Sequence, residues 1–418
     1  MDFSEKHISR PELLSPAGDF ESLRAAIFFG ADAVYLAGQT FGMRSACKNF
    51  SLDELKEAVR TAHENNVKVY LTCNTLPRND ETDALPSFIS SVAECGVDAF
   101  IVTDIGTFSL VKKYAPNVDI HVSTQAGITN YAAANEFYKM GAKRIIPARE
   151  LSLGELKTIA DKTPDGLEIE CFVHGAICVS FSGRCLLSNY LTGRDSNRGD
   201  CAQPCRWKYS LVEEKRPGEY FPIAENEDGT YIMNSRDMCM IEHIPELINA
   251  GISSFKIEGR AKSAYYVSAV TNAYRCAIDG YLKDPSPDYV PERWIIDEVY
   301  KVSHREYCTG FFFGSPKENA EIFYDGGYRR PYENVAVVLG YEDGFLICEQ
   351  RNRFFDGDEL DILERGKKPY ILKAEELQTL DGERIEAVPH PVMKFKFRVP
   401  FPIEAGALIR KVKNVEGH

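Results

Sequence analysis

The sequence predicts an α/β protein: a (β/α)8 TIM-like barrel with an insertion after the seventh strand and a small β-barrel domain at the C-terminal end. Three observations carry this expectation. Eight short apolar segments succeed one another through about the first 280 residues, and seven are trailed closely by a helical pattern, the count and size of a (β/α)8 barrel. The turn after the first segment reads SPAGDF, without the GxGxxG that announces the competing doubly wound sheet. Beyond the proline-rich DPSPDYVP, at 284–291, the apolar period changes to two.

PELLSPAG supplies the first strand and ESLRAAIFFG the first helix. ADAVYLAG is the second strand and runs into GQTFGMRSACKNF, a glycine-bearing rim loop that carries Arg44. SLDELKEAVRTAHENN is helical with Ser51 as N-cap, and VKVYLTCNT is the third strand. VDAFIVTD, DIHVSTQAG, AKRIIPARE and LEIECFVHG continue the series. A long connection, 179–234, then replaces the usual short one and contains a hairpin pattern, YFPIAENEDGTYIMNS. SSFKIEGR is the eighth strand, followed by the helical KSAYYVSAVTNAYRCAIDGYL. The expected division is a barrel over 1–283, a bridging segment over 284–333 and an all-β domain over 334–418. That last domain is built from VAVVLG, GFLICEQ, DELDIL, YILKA and MKFKFRV. It carries 13 basic against 15 acidic residues in a chain of net charge −13, so it is less acidic per residue than the body, as a weak RNA-contacting accessory would be.

A hydrophobic content of 44% with 27% charged residues is ordinary for a globular chain and allows a substantial core. The opening MDFSEKHISR lacks a secretory apolar run and no 18-residue apolar stretch follows, so the expectation is a soluble cytoplasmic protein with no membrane partner. In that compartment the 12 cysteines stay reduced, and clustered ones point to metal binding or catalysis. The acidic balance argues against broad, nonspecific nucleic-acid binding but leaves room for a local basic site.

A barrel of this kind places its chemistry at the C-terminal ends of the strands. Polar residues gather there: Ser15, Asn74, Asp104, Gln125, Arg149 with Glu150, His174, and Lys256 with Glu258 and Arg260. The connection after the seventh strand adds Cys178, Cys185, Cys201 and Cys205, spaced C-x6-C-x15-C-x3-C. Four soft thiolates suit zinc or an iron–sulfur cluster. Structural zinc usually takes paired C-x2-C knuckles, which are absent; wide, uneven spacing with Phe172, Ile177 and Leu186 as buried apolar neighbours suits a 4Fe–4S cluster better. Unliganded core cysteines are the third reading. Cys239 and Cys47 are possible substitute ligands, while Cys73, Cys95, Cys171, Cys276, Cys308 and Cys348 read as small buried hydrophobes. Around the four thiols, Arg184, Arg194, Arg198, Arg206 and Lys208 face only Asp195 and Asp200, which is either a solvated loop or an anion site.

ECFVHGAICVSFSGRCLLS, with PELLSPAG, FGMRSACKNF, NRGDCAQPCRW, NSRDM and FKIEGR, resembles the collagenase-like peptidase family over nearly the whole chain. Within it the layout is most similar to the branch of prephenate-dependent tRNA uridine hydroxylases. The resemblance implies a barrel, a four-cysteine iron–sulfur motif and a small C-terminal β domain. It further implies oxygen-independent 5-hydroxylation of the tRNA wobble uridine with prephenate as hydroxyl donor, while sister groups act on ribosomal RNA or quinone precursors. On that reading Arg44, Arg149, Arg184, Arg206 and Arg260 are candidates to fork carboxylates, joined by Lys256 as a further substrate-binding cation. His174, Glu258 and Arg260 are the catalytic candidates, His174 as a proton carrier near neutral pH. The bland counterparts are a hydrogen-bonded strand-end histidine and a structural Lys256–Glu258 ion pair. The implied partners are tRNA and a small dicarboxylate co-substrate, together with a second copy or a related family member as an oligomer partner. Two other functions compete. A peptidase finds no HExxH, GxSxG or recognisable cysteine–histidine signature in the sequence. A noncatalytic RNA-binding module with structural zinc is the other.

Overall fold

A computed structural model describes residues 10–43, 48–178, 180–207, 224–226, 229–231, 236–314 and 328–413, with 206, 224–226 and 229–231 described in backbone alone. β1 (Glu12–Pro16), β2 (Ala33–Leu36), β3 (Lys68–Cys73), β4 (Ala99–Val102), β5 (Asp119–Val122), β6 (Arg144–Ile145) and β7 (Glu168–Ala176) pair in parallel in chain order. The connection out of β7 contains a short antiparallel hairpin, β8 (Ala224–Asn226) with β9 (Gly229–Tyr231), and then β10 (Asp237–Cys239). β11 (Ser254–Ile257) lies parallel to both β7 and β1 and closes the eight-stranded barrel.

Each strand is apolar because a parallel barrel buries both of its faces. β2 (AVYL) and β4 (AFIV) are buried at every position. Outward residues such as Leu13, Val34, Leu36, Val69 and Phe100 pack into the main core. Inward residues Leu14, Ala33, Tyr35, Tyr70, Ala99, Ile101 and Ile146 make a second cluster inside the barrel, with Phe172 against it. The surrounding helices are α1 (Phe20–Phe28), α2 (Leu52–Glu64), α3 (Asn79–Thr82), α4 (Leu85–Glu94), α5 (Ile105–Tyr114), α6 (Tyr131–Met140) and α7 (Leu153–Lys162). After β7 come α8 (Leu187–Thr192), α9 (Ile244–Asn249), α10 (Ala264–Lys283) and α11 (Arg293–Tyr300). Ser51 does cap α2, in a reciprocal capping box with Glu54, and Ser152 with Glu155 repeats the device on α7.

The floor of the barrel is charged. The buried Arg144 guanidinium bonds Glu12 at 2.6 Å, Glu168 at 2.8 Å and Glu170 at 3.0 Å. The other oxygen of Glu170 accepts from Lys256 Nζ at 2.7 Å. Lys256 therefore pairs with Glu170, across the barrel seam, and the expected Lys256–Glu258 pair is not the one formed.

Two further strands extend the sheet beyond the barrel. β10 pairs antiparallel with the outer end of β7, and β12 (Tyr307–Cys308) lies parallel to β10. Within the stretch read as a bridge, α11 packs on α10 and contributes Ile295, Ile296 and Val299 to the barrel core. The C-terminal unit is a seven-stranded antiparallel half-barrel: β13 (Tyr332–Glu342), β14 (Phe345–Gln350), β15 (Glu359–Leu363), β16 (Tyr370–Lys373), β17 (Glu375–Thr379), β18 (Lys394–Arg398) and β19 (Leu408–Val412). The strand order is β16-β15-β19-β13-β14-β18-β17. Its own core includes Val335, Leu346, Phe354, Phe395, Phe397 and Ile409. From β19 the fully buried Arg410 reaches Glu298 on α11 at 2.7 Å and Asp361 on β15 at 3.3 Å. Lys301 completes the cluster at 2.9 Å from both carboxylates. Buried charge thus ties the half-barrel to the barrel. Among the described residues no helix is long and apolar enough to cross a membrane.

Candidate active site

A cavity of about 290 Å³ opens at the C-terminal ends of the barrel strands. Its walls come from β2 (Tyr35), β3 and the loop after it (Thr72, Asn74), β4 (Ile101), the turn after β5 (Gln125), the loop after β6 (Arg149), β7 (Phe172) and β11 with its following loop (Lys256, Glu258, Arg260). The segment 180–207 roofs it and contributes Ser182, Gly183, Ser196 and Gln203. That roof is fastened at two sides. Glu150 accepts the Ser182 N–H at 2.6 Å and its hydroxyl at 2.9 Å. On the other side Leu76 N–H donates to Asn197 O at 3.2 Å, and Arg198 pairs with Glu81 at 2.7 Å.

The cations in the cavity are held in fixed positions. Arg149 lays its guanidinium 3.7 Å from the centre of the Phe172 ring, with Nη1 donating to Ala176 O at 3.2 Å. Lys256 Nζ stands 4.5 Å from the Tyr35 ring centre while it is held by Glu170. Arg260 is buried, with Nη1 donating to Thr72 Oγ1 at 3.0 Å. Glu258 accepts from the Tyr35 hydroxyl at 3.1 Å. Two glycines allow this closeness. A Cβ on Gly18 would lie 2.2 Å from Arg260 O, and one on Gly175, whose φ is +105°, would lie 2.4 Å from Glu258 O. With Lys256 already paired to Glu170, Arg149 and Arg260 against Glu258 still leave the balance positive and suit an anionic ligand, and planar guanidinium forks suit carboxylates.

The cavity thus brings together Arg149, Lys256, Glu258, Arg260, Cys178, Cys185, Cys201 and Cys205 among the residues expected at the site. Arg44 and Cys47 lie outside the described residues, as does the side chain of Arg206. Arg184 is exposed and does not line the cavity, because it follows the turn of 181–183 onto the outer side of the roof. The anion site expected from loop arginines is also reduced, since Arg194 pairs with Asp200 at 2.8 Å and Arg198 with Glu81. Ser15 faces outward to Thr271 of α10, and Asp104 caps α5 by accepting the Thr107 N–H. The sequence reading missed Tyr35 and Thr72 as wall residues, whose inward alternation on β2 and β3 is the available signal. Of the apolar neighbours expected to be buried beside the thiols, Phe172 and Ile177 line the cavity, whereas Leu186 is 59% exposed because it turns to the outside of the roof.

His174 is not brought to the cavity. A register shift between β11 and β7 at Lys256/Ile257 re-aims the end of β7, and β10 covers its outer edge. The ring is buried among Tyr266, Tyr274 and Tyr307, with Nε2 3.3 Å from the Tyr307 hydroxyl. Burial pushes its pKa down to about 3, so the imidazole stays neutral near pH 7. The proton-carrier role therefore has no support in this geometry. Below pH 6.5 the unfolded chain gains a proton that the folded chain refuses, so this residue makes stability fall from pH 6.5 toward 3. His174→Phe should accordingly flatten that part of the stability-against-pH curve in denaturant titrations, and leave no missing inflection in the pH–rate profile.

Cys178, Cys185, Cys201 and Cys205 are each partly exposed and all border the one cavity. Two sulfurs already accept backbone donors two residues on: Leu187 N–H to Cys185 Sγ and Gln203 N–H to Cys201 Sγ, each at 3.3 Å. Such N–H···S contacts stabilise negative charge on sulfur, which is what a ligating thiolate needs. Ser196 and Asn197 both donate to Cys185 O, fixing that corner of the loop. Among the described residues no three histidine, cysteine or carboxylate side chains form a group arranged to hold a single metal ion. The donor set itself, four accessible thiols bordering one cavity, fits an iron–sulfur cluster in kind. Cys239, in contrast, is absent from the cavity wall, and burial pushes its thiol up to about 12.

Comparison with known proteins follows this layout. The chain matches the family described as Peptidase family U32 over residues 18–322 and that family's C-terminal domain over 330–410. It is 36% identical to tRNA hydroxylation protein P1 of Bacillus subtilis, over 97% of this chain and 95% of that protein. It is 34% identical to tRNA hydroxylation protein P of Escherichia coli, over 91% and 92% of the two chains. It is also 32% identical to a protein named collagenase from Porphyromonas gingivalis, over 90% and 93%.

Proposed function

The chain belongs to peptidase family U32, and from that premise we propose that it is an RNA hydroxylase acting on tRNA, installing a 5-hydroxyl on the wobble uridine with prephenate as donor. The observation that carries the reading is one cavity in which Arg149, Lys256, Arg260 and Glu258 face four accessible thiols. Full-length likeness to proteins named for tRNA hydroxylation supports the choice of RNA.

A pyrimidine inside a base stack cannot reach the floor of such a cavity, so the target nucleotide must be turned out of its stack. Arg149 and Arg260 would hold the two carboxylates of a small dianion, and Lys256 would add positive potential without moving, because Glu170 fixes its ammonium. Glu258, which accepts from the Tyr35 hydroxyl, would accept or return a proton at its carboxylate oxygen. Cys178, Cys185, Cys201 and Cys205 would hold a 4Fe–4S cluster, which supplies one-electron or Lewis-acid chemistry when bound. Phe172 and Tyr35 would give the cavity an aromatic wall against which a flat ring could lie.

Mass spectrometry of tRNA nucleosides from a strain lacking this chain should show loss of a hydroxylated uridine or of a derivative built on it. An unchanged nucleoside profile would defeat the assignment. Arg260→Ala in the purified protein should retain iron yet lower kcat/KM by about 10²-fold, the scale of a misplaced reactant; full activity would remove Arg260 from the site. The collagenase-named relative favours a second reading, proteolysis. Against it, the described residues around the cavity include no histidine to pair with a serine or cysteine nucleophile. Gelatin cleavage by iron-loaded protein, lost on Glu258→Gln, would restore that reading.

A further inference from the structure

The roof segment has two sides of different character. Ser182, Gly183, Cys185, Ser196, Gly199 and Cys201 turn toward the cavity. Among the residues between and beside them, four large apolar side chains are exposed: Phe181 is 50% exposed, Leu186 59%, Tyr190 82% and Trp207 42%. Tyr190, on α8, is the most exposed large hydrophobic side chain among the described residues. Phe181 rests beside Gly127, at the turn after β5, so the apolar rim begins at the lip of the cavity.

We propose that Phe181, Leu186 and Tyr190 form a platform on which unpaired nucleotides flanking the target base are stacked. This rests on the RNA reading above and extends it to how the RNA is gripped. Any base admitted to the cavity keeps its chain neighbours at the mouth, and this rim is the surface continuous with the mouth. Charge contributes little there beyond the exposed Arg184. Arg78 pairs with Asp195, Arg194 with Asp200 and Arg198 with Glu81, so those guanidinium groups are already engaged, and the chain as a whole is acidic. A binding surface of this kind draws on base-to-aromatic stacking, which every base can offer once it is unpaired. The ligand class is therefore a single-stranded RNA loop rather than a duplex.

The test uses the full-length, iron-loaded protein and fluorescence anisotropy with two probes, a tRNA anticodon stem–loop hairpin and a fully paired RNA duplex. Wild type should bind the hairpin in preference to the duplex. Tyr190→Ala should weaken hairpin binding by about tenfold, the effect of one lost stack, and Tyr190→Phe should restore it. Iron content and thermal midpoint should not change, since Tyr190 is solvent-exposed. If Leu186→Ala/Tyr190→Ala binds the hairpin as wild type does while wild type still modifies tRNA, the platform is refuted and the hydroxylase reading stands. If wild type binds neither RNA, both fall. If the double variant keeps its RNA affinity but loses a self-association seen by light scattering, the rim is a protein-contact surface and the proposal is overturned.

Discussion

Cys201→Ser should reduce bound iron and visible absorbance to background and abolish RNA hydroxylation. The serine hydroxyl is nearly isosteric with the thiol but keeps its proton at neutral pH, so it offers iron a hard, neutral oxygen in place of a soft anion. The Gln203 N–H that donates to Cys201 Sγ at 3.3 Å would then have a weaker acceptor. The measurement is iron and acid-labile sulfide per chain after anaerobic purification, read beside the absorption spectrum. Iron retained at wild-type level would exclude Cys201 as a ligand. Cys239→Ser supplies the control: its thiol is absent from the cavity wall and desolvation pushes it up to about 12, so this variant should keep its iron. Iron lost from Cys239→Ser with iron kept by Cys201→Ser would exchange the two assignments.

Arg144→Met should destabilise the fold by about 3–5 kcal/mol, the range found when one partner of a buried ion cluster is removed. The cause is what remains behind. Glu12, Glu168 and Glu170 all lean on this one guanidinium, and Glu170 has no exposed surface. Removing Glu12 as well, in Arg144→Met/Glu12→Gln, should recover part of the loss, because the carboxylate whose ion pair was Arg144 goes with it. The effect also depends on pH. Burial raises the Glu12 pKa, but the charge and hydrogen bond of Arg144 outweigh it and hold the carboxyl below its usual 4.5. A depressed carboxylate stabilises the fold above its unfolded pKa and loses that contribution as pH falls through its folded value. The gap between wild type and Arg144→Met in urea titrations should hence be full at pH 7 and shrink below about pH 4.5. A gap independent of pH would assign the loss to packing alone.

The parts of this molecule that were legible in its sequence are those governed by local rules. Eight barrel strands stood out because burial on both faces forces runs such as AFIV at 99–102 to be apolar throughout. The four motif cysteines, Arg149, Lys256, Glu258 and Arg260 followed from strand order alone, since a barrel sends strand ends to one face. What was illegible depended on pairings distant in sequence. Lys256 and Glu258 are two residues apart and looked like a pair, yet Lys256 finds Glu170, 86 positions away. His174 sat at a strand end, and a register shift turned it into a nest of tyrosines. β19 hid because its middle residue is Arg410, whose burial makes sense with Glu298 and Asp361 in place. β10 is three residues long and takes its strand form from the edge of β7. Local pattern carried none of these.

The charged floor has a consequence for the order of events. Glu12, Arg144, Glu170 and Lys256 plug the barrel beneath Phe172, so traffic into the chamber enters and departs by the roofed mouth. A large nucleic acid seated across that doorway would cork it. On the proposed function a small acid would have to be inside before the polymer arrives, and its spent remnant would wait for the polymer to leave; polymer arriving first would trap an empty, idle enzyme.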